Sequence, residues 1–300
     1  VTGVDVVVTE NLTKLYGPQV ALQALNLRVP AGTLFGFLGP NGAGKTTALR
    51  LLLGLLRPTA GRAEVLGRDC WRDGPRLRAD VGYLPGDVRF YDWMTGRQTL
   101  AFLDAARGSV AGSELTRLVK RFELNPDRKV RDYSRGMKQK LGLIAALMHR
   151  PRLLILDEPT VALDPLMREV LYAELRAVAA EGRAVLFSSH TLAEVEELCD
   201  QVAILRDGRL IEQASISELR RRAVRQVEVH FRDGQPRPGL PPGLQVLEQS
   251  QGYLRGTWSG PPGELLAWLA SCPVREVTLA PPDLSDLFLG YYAEAGPHGR

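Results

Sequence analysis

Eight consecutive residues, Gly39, Pro40, Asn41, Gly42, Ala43, Gly44, Lys45 and Thr46, fit the pattern G-x-x-x-x-G-K-[ST]. Those residue types suit a chain of phosphates. Glycines let successive backbone N–H groups turn inward around phosphate oxygens, and a following helix aims its positive end at them. Lys45 is placed to meet the β- and γ-phosphates, and the Thr46 hydroxyl to ligate Mg2+. Further along, the apolar run at 153–156 leads straight into Asp157 and Glu158. Packing explains two consecutive acids poorly, because burying unpaired carboxylates is costly. Their chemistry suits a pair in which Asp157 holds Mg2+ through its water shell and Glu158 takes the proton of an attacking water. A third apolar run, 184–187, ends in Ser188, Ser189 and His190. A lone histidine at a strand end is more often structural, but this one shares an edge with the other groups and reads as catalytic.

Groups so far apart in sequence need a sheet whose strands end together. The short run at 34–38, the glycine loop and the helical stretch 46–56 form the start of a strand–loop–helix unit. The runs at 81–84, 153–156 and 184–187 are continuous and apolar, as strands buried on both faces of a mostly parallel sheet should be. Between the last two lies a helix over 165–180, with Asp164 placed to cap it, Pro165 in its first turn and Gly182 just past its end. The first 30 residues predict two β segments, 5–9 and 21–29, split by a polar turn at 16–19. From 95 to 148 the pattern is helical. Ser134 fits the N-cap of a helix with apolar positions Met137, Leu141, Ile144, Ala145 and Met148. After about residue 222 the texture changes: a Pro/Gly-rich stretch at 235–243, short strands at 226–231, 244–248, 253–257 and 274–279, and helices at 263–271 and 284–293. That predicts a small α+β domain.

Composition narrows the class. At 300 residues with 45% hydrophobic and 24% charged, the chain is neither disordered nor fibrous. No stretch reaches the ~18–20 unbroken apolar residues of a membrane span. A net charge of +4, from 32 Arg and 6 Lys against 34 acids, is too diffuse to predict nucleic-acid binding. The arginines at 72–78 and 220–225 read as solvated faces or contacts to other chains. Cys70, Cys199 and Cys272 are far apart and never form C-x-x-C, which fits a reducing compartment. Residues 1–10 carry Asp5 and Glu10 and no basic segment leading an apolar one, so no signal peptide is predicted there.

In order along the chain stand the phosphate loop through Thr47, the segment 81–87, the segment 133–137, the acid pair, the segment 162–164 and His190. That order resembles the nucleotide-binding subunit of an ATP-binding cassette transporter, over residues 5–222. The resemblance implies an α/β fold: a P-loop NTPase with a mostly parallel sheet, an N-terminal antiparallel β subdomain and a helical subdomain at about 88–150. The cassette would occupy 1–222 and a small α+β accessory domain 223–300. ATP and Mg2+ are the implied cofactors. Tyr16 would stack on adenine, residues 39–47 would hold the phosphates, and Asp164 would belong to the D-loop. Ser134 and Gly136, from the signature segment, would contact in trans the ATP held by a second copy. Two cassettes would therefore pair head to tail, as a homodimer or a heterodimer, at the cytoplasmic face of the membrane. The implied function is ATP hydrolysis that drives a separate integral-membrane permease, for export of a drug-like or other small molecule. The segment 281–289 resembles the tail of bacterial drug- and antibiotic-export ATPases. Other readings are a soluble cassette ATPase acting on ribosomes or nucleic acid, and a slow-hydrolysing regulator. The sequence departs from the family at Gly86, where a glutamine is usual, and at Tyr133, Arg135 and Met137 in the signature.

Overall fold

The computed structural model describes residues 4–222, 224–232 and 238–280, with Leu284 and Phe288. The chain divides into two compact units, Val1–Ala214 and Ser215–Arg300. The first opens with β1 (Asp5–Tyr16), β2 (Gln19–Leu25) and β3 (Arg28–Pro30). β1 runs well beyond the segment 5–9 that its apolar residues predict. It passes its polar Glu10–Asn11 step by a bulge, where Asn11 takes φ 48° and the register against the neighbouring strand shifts. The segment expected over 21–29 is instead broken in two, with Ala24 at φ 47° near the break.

Next come β4 (Leu34–Leu38), buried along its whole length, and α1 (Lys45–Leu52). α1 stops short of residue 56 because the chain turns at Gly54, φ 62°, against the backbone of Cys70. β5 (Ala60–Val65), β6 (Arg68–Asp69), α2 (Gly74–Leu77) and β7 (Val81–Leu84) follow. The helical stretch contains α3 (Gly96–Ala105), α4 (Gly112–Arg121) and α5 (Arg135–Leu147). Then come β8 (Leu153–Asp157), α6 (Pro165–Ala180), β9 (Ala184–Ser189), α7 (Leu192–Leu198), β10 (Gln201–Arg206) and β11 (Arg209–Ser215).

Two sheets result. β2, β1, β5 and β6 lie side by side in that order with β3 also on β1, and the ladders of β1 with β2, β3 and β5 are antiparallel. The six-stranded sheet has the order β11-β10-β4-β9-β8-β7. Its pairs β10–β4, β4–β9, β9–β8 and β8–β7 are all parallel. β4, β9 and β8 have no exposed face, which is why their sequences read as unbroken apolar runs. The consequence for function is geometric. The carboxyl ends of four adjacent strands, β7, β8, β9 and β4, deliver Gly86, Asp157, Ser189 and Gly39 to one edge.

An ion-pair clamp joins α4 to α6. Arg117 donates to both carboxylate oxygens of Glu174, at 2.9 and 2.6 Å, and Arg121 donates at 3.2 Å. Glu174 is buried, so a carboxylate there is tolerable only with such donors. Near the other end of α5 sits His149. Burial, reinforced by the charge of Arg107 and, more weakly, of Arg183, drives its imidazole from an ordinary 6.5 down to about 4. The unfolded chain then takes up a proton that the folded chain refuses. The contribution of His149 to stability is fully present above pH 6.5 and is lost progressively as pH falls toward about 4. His149→Gln should flatten that part of the curve of melting temperature against pH. A variant curve parallel to wild type across the window would acquit His149.

The second unit contains α8 (Ile216–Arg222), β12 (Arg225–Phe231), β13 (Leu244–Gln249), β14 (Tyr253–Trp258), α9 (Pro262–Ser271) and β15 (Val274–Leu279). Its antiparallel sheet, in the order β13-β14-β12-β15, builds a core of Val227, Val229, Phe231, Leu254 and Trp258 with Leu265, Trp268 and Leu269 of α9. Both indole N–H groups donate to carbonyls, of Gly260 and Gly239. Of the helix expected over 284–293, Leu284 and Phe288 are helical and buried, and the rest lies outside the described residues. Cys70 and Cys199 are buried, Cys272 half-buried. Burial pushes the Cys70 thiol up to about 12 and that of Cys199 further still. Among the described residues no helix is long and apolar enough to cross a membrane.

Candidate functional site

The loop between β4 and α1 forms because Gly42 and Gly44 can take φ 84° and 97°. At Gly44 a Cβ would also meet the carbonyl oxygen of Ala21 at 2.6 Å, so only glycine fits. Residues 40–47 wrap one wall of a cavity of about 390 Å3, whose rim includes Tyr16, Gln19, Val20, Ala21 and Glu158. Tyr16 is 45% exposed, with the Lys14 ammonium 5.2 Å from its ring centroid. An aromatic face bordering a phosphate-binding loop suits a nucleobase. Gly39 lies at the strand end just before this wall, where its N–H donates to Ser189.

Lys45 is the first residue of α1 and is buried. Its ammonium donates to the carbonyls of Gly39 and Pro40, at 2.6 and 3.2 Å, and lies 3.7 Å from Glu158 Oε1. Desolvation pulls its pKa below the ordinary lysine value, while the charges of Glu158 and Asp157 oppose that pull. Phosphate oxygens entering the loop would take over these contacts.

One residue on, Thr46 Oγ1 donates to Asp157 Oδ2 at 2.8 Å. The other oxygen, Oδ1, accepts from Ser188 Oγ at 2.6 Å. Ser188 is fully buried opposite Asp157 in the β8–β9 ladder, and its Oγ and carbonyl also accept from the Glu158 N–H. The hydroxyl of Thr46 and the carboxylate of Asp157 are hard oxygen donors, the set Mg2+ takes. Among the described residues no cluster of three or more His, Cys, Asp or Glu could hold a metal. Two such oxygens fit a cation that arrives on phosphates and keeps part of its water. Gly86 borders the same carboxylate: a Cβ there would stand 3.4 Å from Asp157 Oδ2, so the position is open to a side chain that glycine does not supply.

Glu158 takes φ 48°, and its carboxylate stands between Lys45 and His190, whose Nδ1 is 3.3 Å from Oε1. His190 is half-exposed and borders a second cavity, of about 410 Å3, with Thr160, Ala162 and Glu194. Lys45, Thr46, Asp157, Glu158 and His190 thus converge from three strand ends on one spot. The structure does not bring the remaining candidates there. Ser134 is exposed and caps α5, its Oγ accepting from Met137 N–H at 3.2 Å. Gly136 lies in the first turn of the same helix, packed on Ala162. Asp164 caps α6 by accepting from Met167 N–H at 2.9 Å.

Sequence reasoning missed two residues at this edge. Ser188 is one; it stands beside Ser189 at the polar end of β9, and nothing local singles out the hydroxyl that meets Asp157. Gln139 is the other, a polar side chain on the buried face of α5.

Comparison with known proteins places this geometry. A family model described as ABC transporter matches residues 22–161. The chain is 40% identical over 232 residues to the bacitracin transport ATP-binding protein BcrA of Enterococcus faecalis, covering 76% of this chain and 75% of that one. It is 39% identical over 222 residues to the daunorubicin resistance ATP-binding protein DrrA3 of Streptomyces coeruleorubidus, covering 71% and 69%. A solved structure of an ATP-binding subunit of an ABC transporter superposes with a TM-score of 0.68 at 30% identity, over 72% of this chain and 92% of that one. With the loop, the acids and the strand order on one sheet edge, the chain belongs to the ATP-binding subunits of ABC transporters.

Proposed function

We propose that two cassettes, each a copy of this chain or a close relative, close head to tail on two ATP molecules and drive a separate permease that exports a drug-like compound. The observation that carries the reading is the convergence of Lys45, the Thr46–Asp157 pair, Glu158 and His190 at one sheet edge. Residues 39–47 hold the phosphates, and Tyr16 takes the adenine. Lys45 leaves the loop carbonyls and Glu158 for the β- and γ-phosphate oxygens. Thr46 and Asp157 would hold Mg2+, which would supply neutralisation of the charge that develops in the reaction. Glu158, released from Lys45, accepts a proton from water as the water oxygen bonds to the γ-phosphorus and the bond to the ADP oxygen breaks. His190, beside Glu158, orients that carboxylate and the γ-phosphate. Ser134 and Gly136 bring the positive end of α5 to the second cassette's ATP, and Asp164 sets the start of α6 beside them.

The names of two relatives, bacitracin transport and daunorubicin resistance, support a drug-like cargo. An exposed aromatic cluster supports a protein partner. Tyr91 stands 5.8 Å from Trp93 and 6.5 Å from Phe102, ring centre to ring centre, and all three are more than half exposed. Tyr91 and Trp93 follow the loop after β7, in which Gly86 borders Asp157, so a permease seated there would touch the segment that leads back to that carboxylate. We infer a peripheral position on the cytoplasmic face of the membrane, and an assembly role for the second unit.

Phosphate release from ATP, with and without a chelator, tests the reading together with sedimentation. Turnover that stops when Mg2+ is removed, and a dimer that forms with ATP, are the expected results. A chain that stays monomeric with ATP and Mg2+ and releases no phosphate would overturn it.

A further inference from the structure

Helix α5 touches the catalytic loop of its own chain twice. In its first turn Gly136 lies so close to Ala162 that a Cβ there would meet the Ala162 carbonyl oxygen at 2.7 Å. One turn further on, the buried Gln139 donates from Nε2 to the carbonyl of Pro159 at 3.0 Å and to that of Glu158 at 3.5 Å. The loop so held is strained at both ends. Glu158 and Ala162 are not glycines, yet they take φ 48° and 64°. Left-handed backbone is unfavourable for an ordinary residue, and it persists where neighbours over-determine it.

Here the neighbours can be named. From the sheet, the carbonyl and hydroxyl of Ser188 accept from the Glu158 N–H. From the helix, the Gln139 carboxamide fixes the following two carbonyls. Around it the buried face of α5 is Leu141, Leu143, Ile144 and Leu147, where a polar group is unfavourable unless its hydrogen bonds are made. Packing alone therefore does not account for a glutamine at this place.

We propose that Gln139 is a positioning residue for Glu158, and that through it the helix reading one nucleotide sets the catalytic carboxylate that serves the other. Ser134 and Gly136 stand at the start of α5 and Gln139 in its second turn. The five residue steps from Ser134 to Gln139 span about 8 Å of rigid helix at ~1.5 Å per residue. A shift of the helix start on meeting phosphate is thereby felt at Pro159 and Glu158 of the same chain. Each cassette would report the occupancy of its partner's site to its own chemistry. The inference rests on the proposed roles of Glu158 and Ser134.

Steady-state turnover by the full chain tests it. Gln139→Leu removes the donor and puts in its place a somewhat shorter, branched apolar side chain that suits the buried face of α5. It should lower kcat about tenfold or more and leave KM for ATP within about twofold, since misplacement of a reacting group by an ångström costs up to ~100-fold. Combined with Glu158→Gln, it should leave the ATP concentration needed for dimerisation unchanged. Gln139→Glu places a carboxylate against two carbonyl oxygens; protonated, it regains one donor. The ratio of its turnover to wild type should rise as pH falls from about 8.5 to about 6, while the ratio for Gln139→Leu stays flat. A kcat within twofold of wild type, lost ATP-driven dimerisation, or two flat pH ratios would each overturn the inference. A wild-type chain with no ATP turnover would overturn the site reading itself, and this inference with it.

Discussion

Glu158→Gln is expected to bind ATP as wild type does and to lower hydrolysis by about 10²–10⁴-fold, the usual scale for losing a general base. The substitution keeps the shape of the side chain and its backbone bonds to Ser188. It removes the ability to accept a proton from water. It also weakens the contact to Lys45 at 3.7 Å, which binding of phosphate would break in any case. With chemistry stopped, ATP stays in place, and the dimer that wild type forms transiently should persist in sedimentation with ATP and Mg2+. Turnover within a few fold of wild type would show that Glu158 is not the base.

Lys45→Ala acts on the step before. Its ammonium is the one buried cation at the loop, and hydrogen bonds to charged groups contribute about 1.5–3 kcal/mol. ATP affinity should therefore fall by about 10–100-fold, read by titration of a fluorescent ATP analogue. ADP keeps its β-phosphate and should lose less than ATP. Equal ATP affinity in the variant would remove Lys45 from the phosphate site. The two variants thus separate binding from chemistry, because one stops turnover with ligand on and the other with ligand off.

The parts of the site that read from the sequence are those whose cause is local. Glycine spacing, the lysine after it and acids at the end of an apolar run each announce themselves within a few residues. β4, β8 and β9 were legible because burial on both faces leaves an unbroken apolar run. β5 was not; Ala60–Val65 contains Gly61, Arg62 and Glu64, and it is a strand because β1 pairs with it. β10 and β11 went unassigned as well, although β10 is mostly buried. In the arginine run 72–78, expected as a solvated face or a contact to other chains, Arg78 donates to the Leu53 carbonyl at 3.0 Å and closes the turn after α1. Ser188 and Gln139 were invisible for a related reason. Each acquires its role from a partner 19 to 31 residues away, and no periodicity carries that information.

The state of the thiols has a practical consequence for watching this machine move. Cys70 and Cys199 are buried, and burial pushes both thiols well above the ordinary range, so maleimide dyes should react with them far more slowly than with an exposed cysteine. Cys272, half-buried in the second unit, is the one position that competes for label. Cys272→Ser therefore leaves a chain that reacts slowly with thiol dyes while both core cysteines stay in place. A single cysteine introduced at an exposed position away from the proposed interface, such as Val110 between α3 and α4, would then carry a fluorophore. Two such chains, one with a donor dye and one with an acceptor, would turn opening and closing into a distance read in real time.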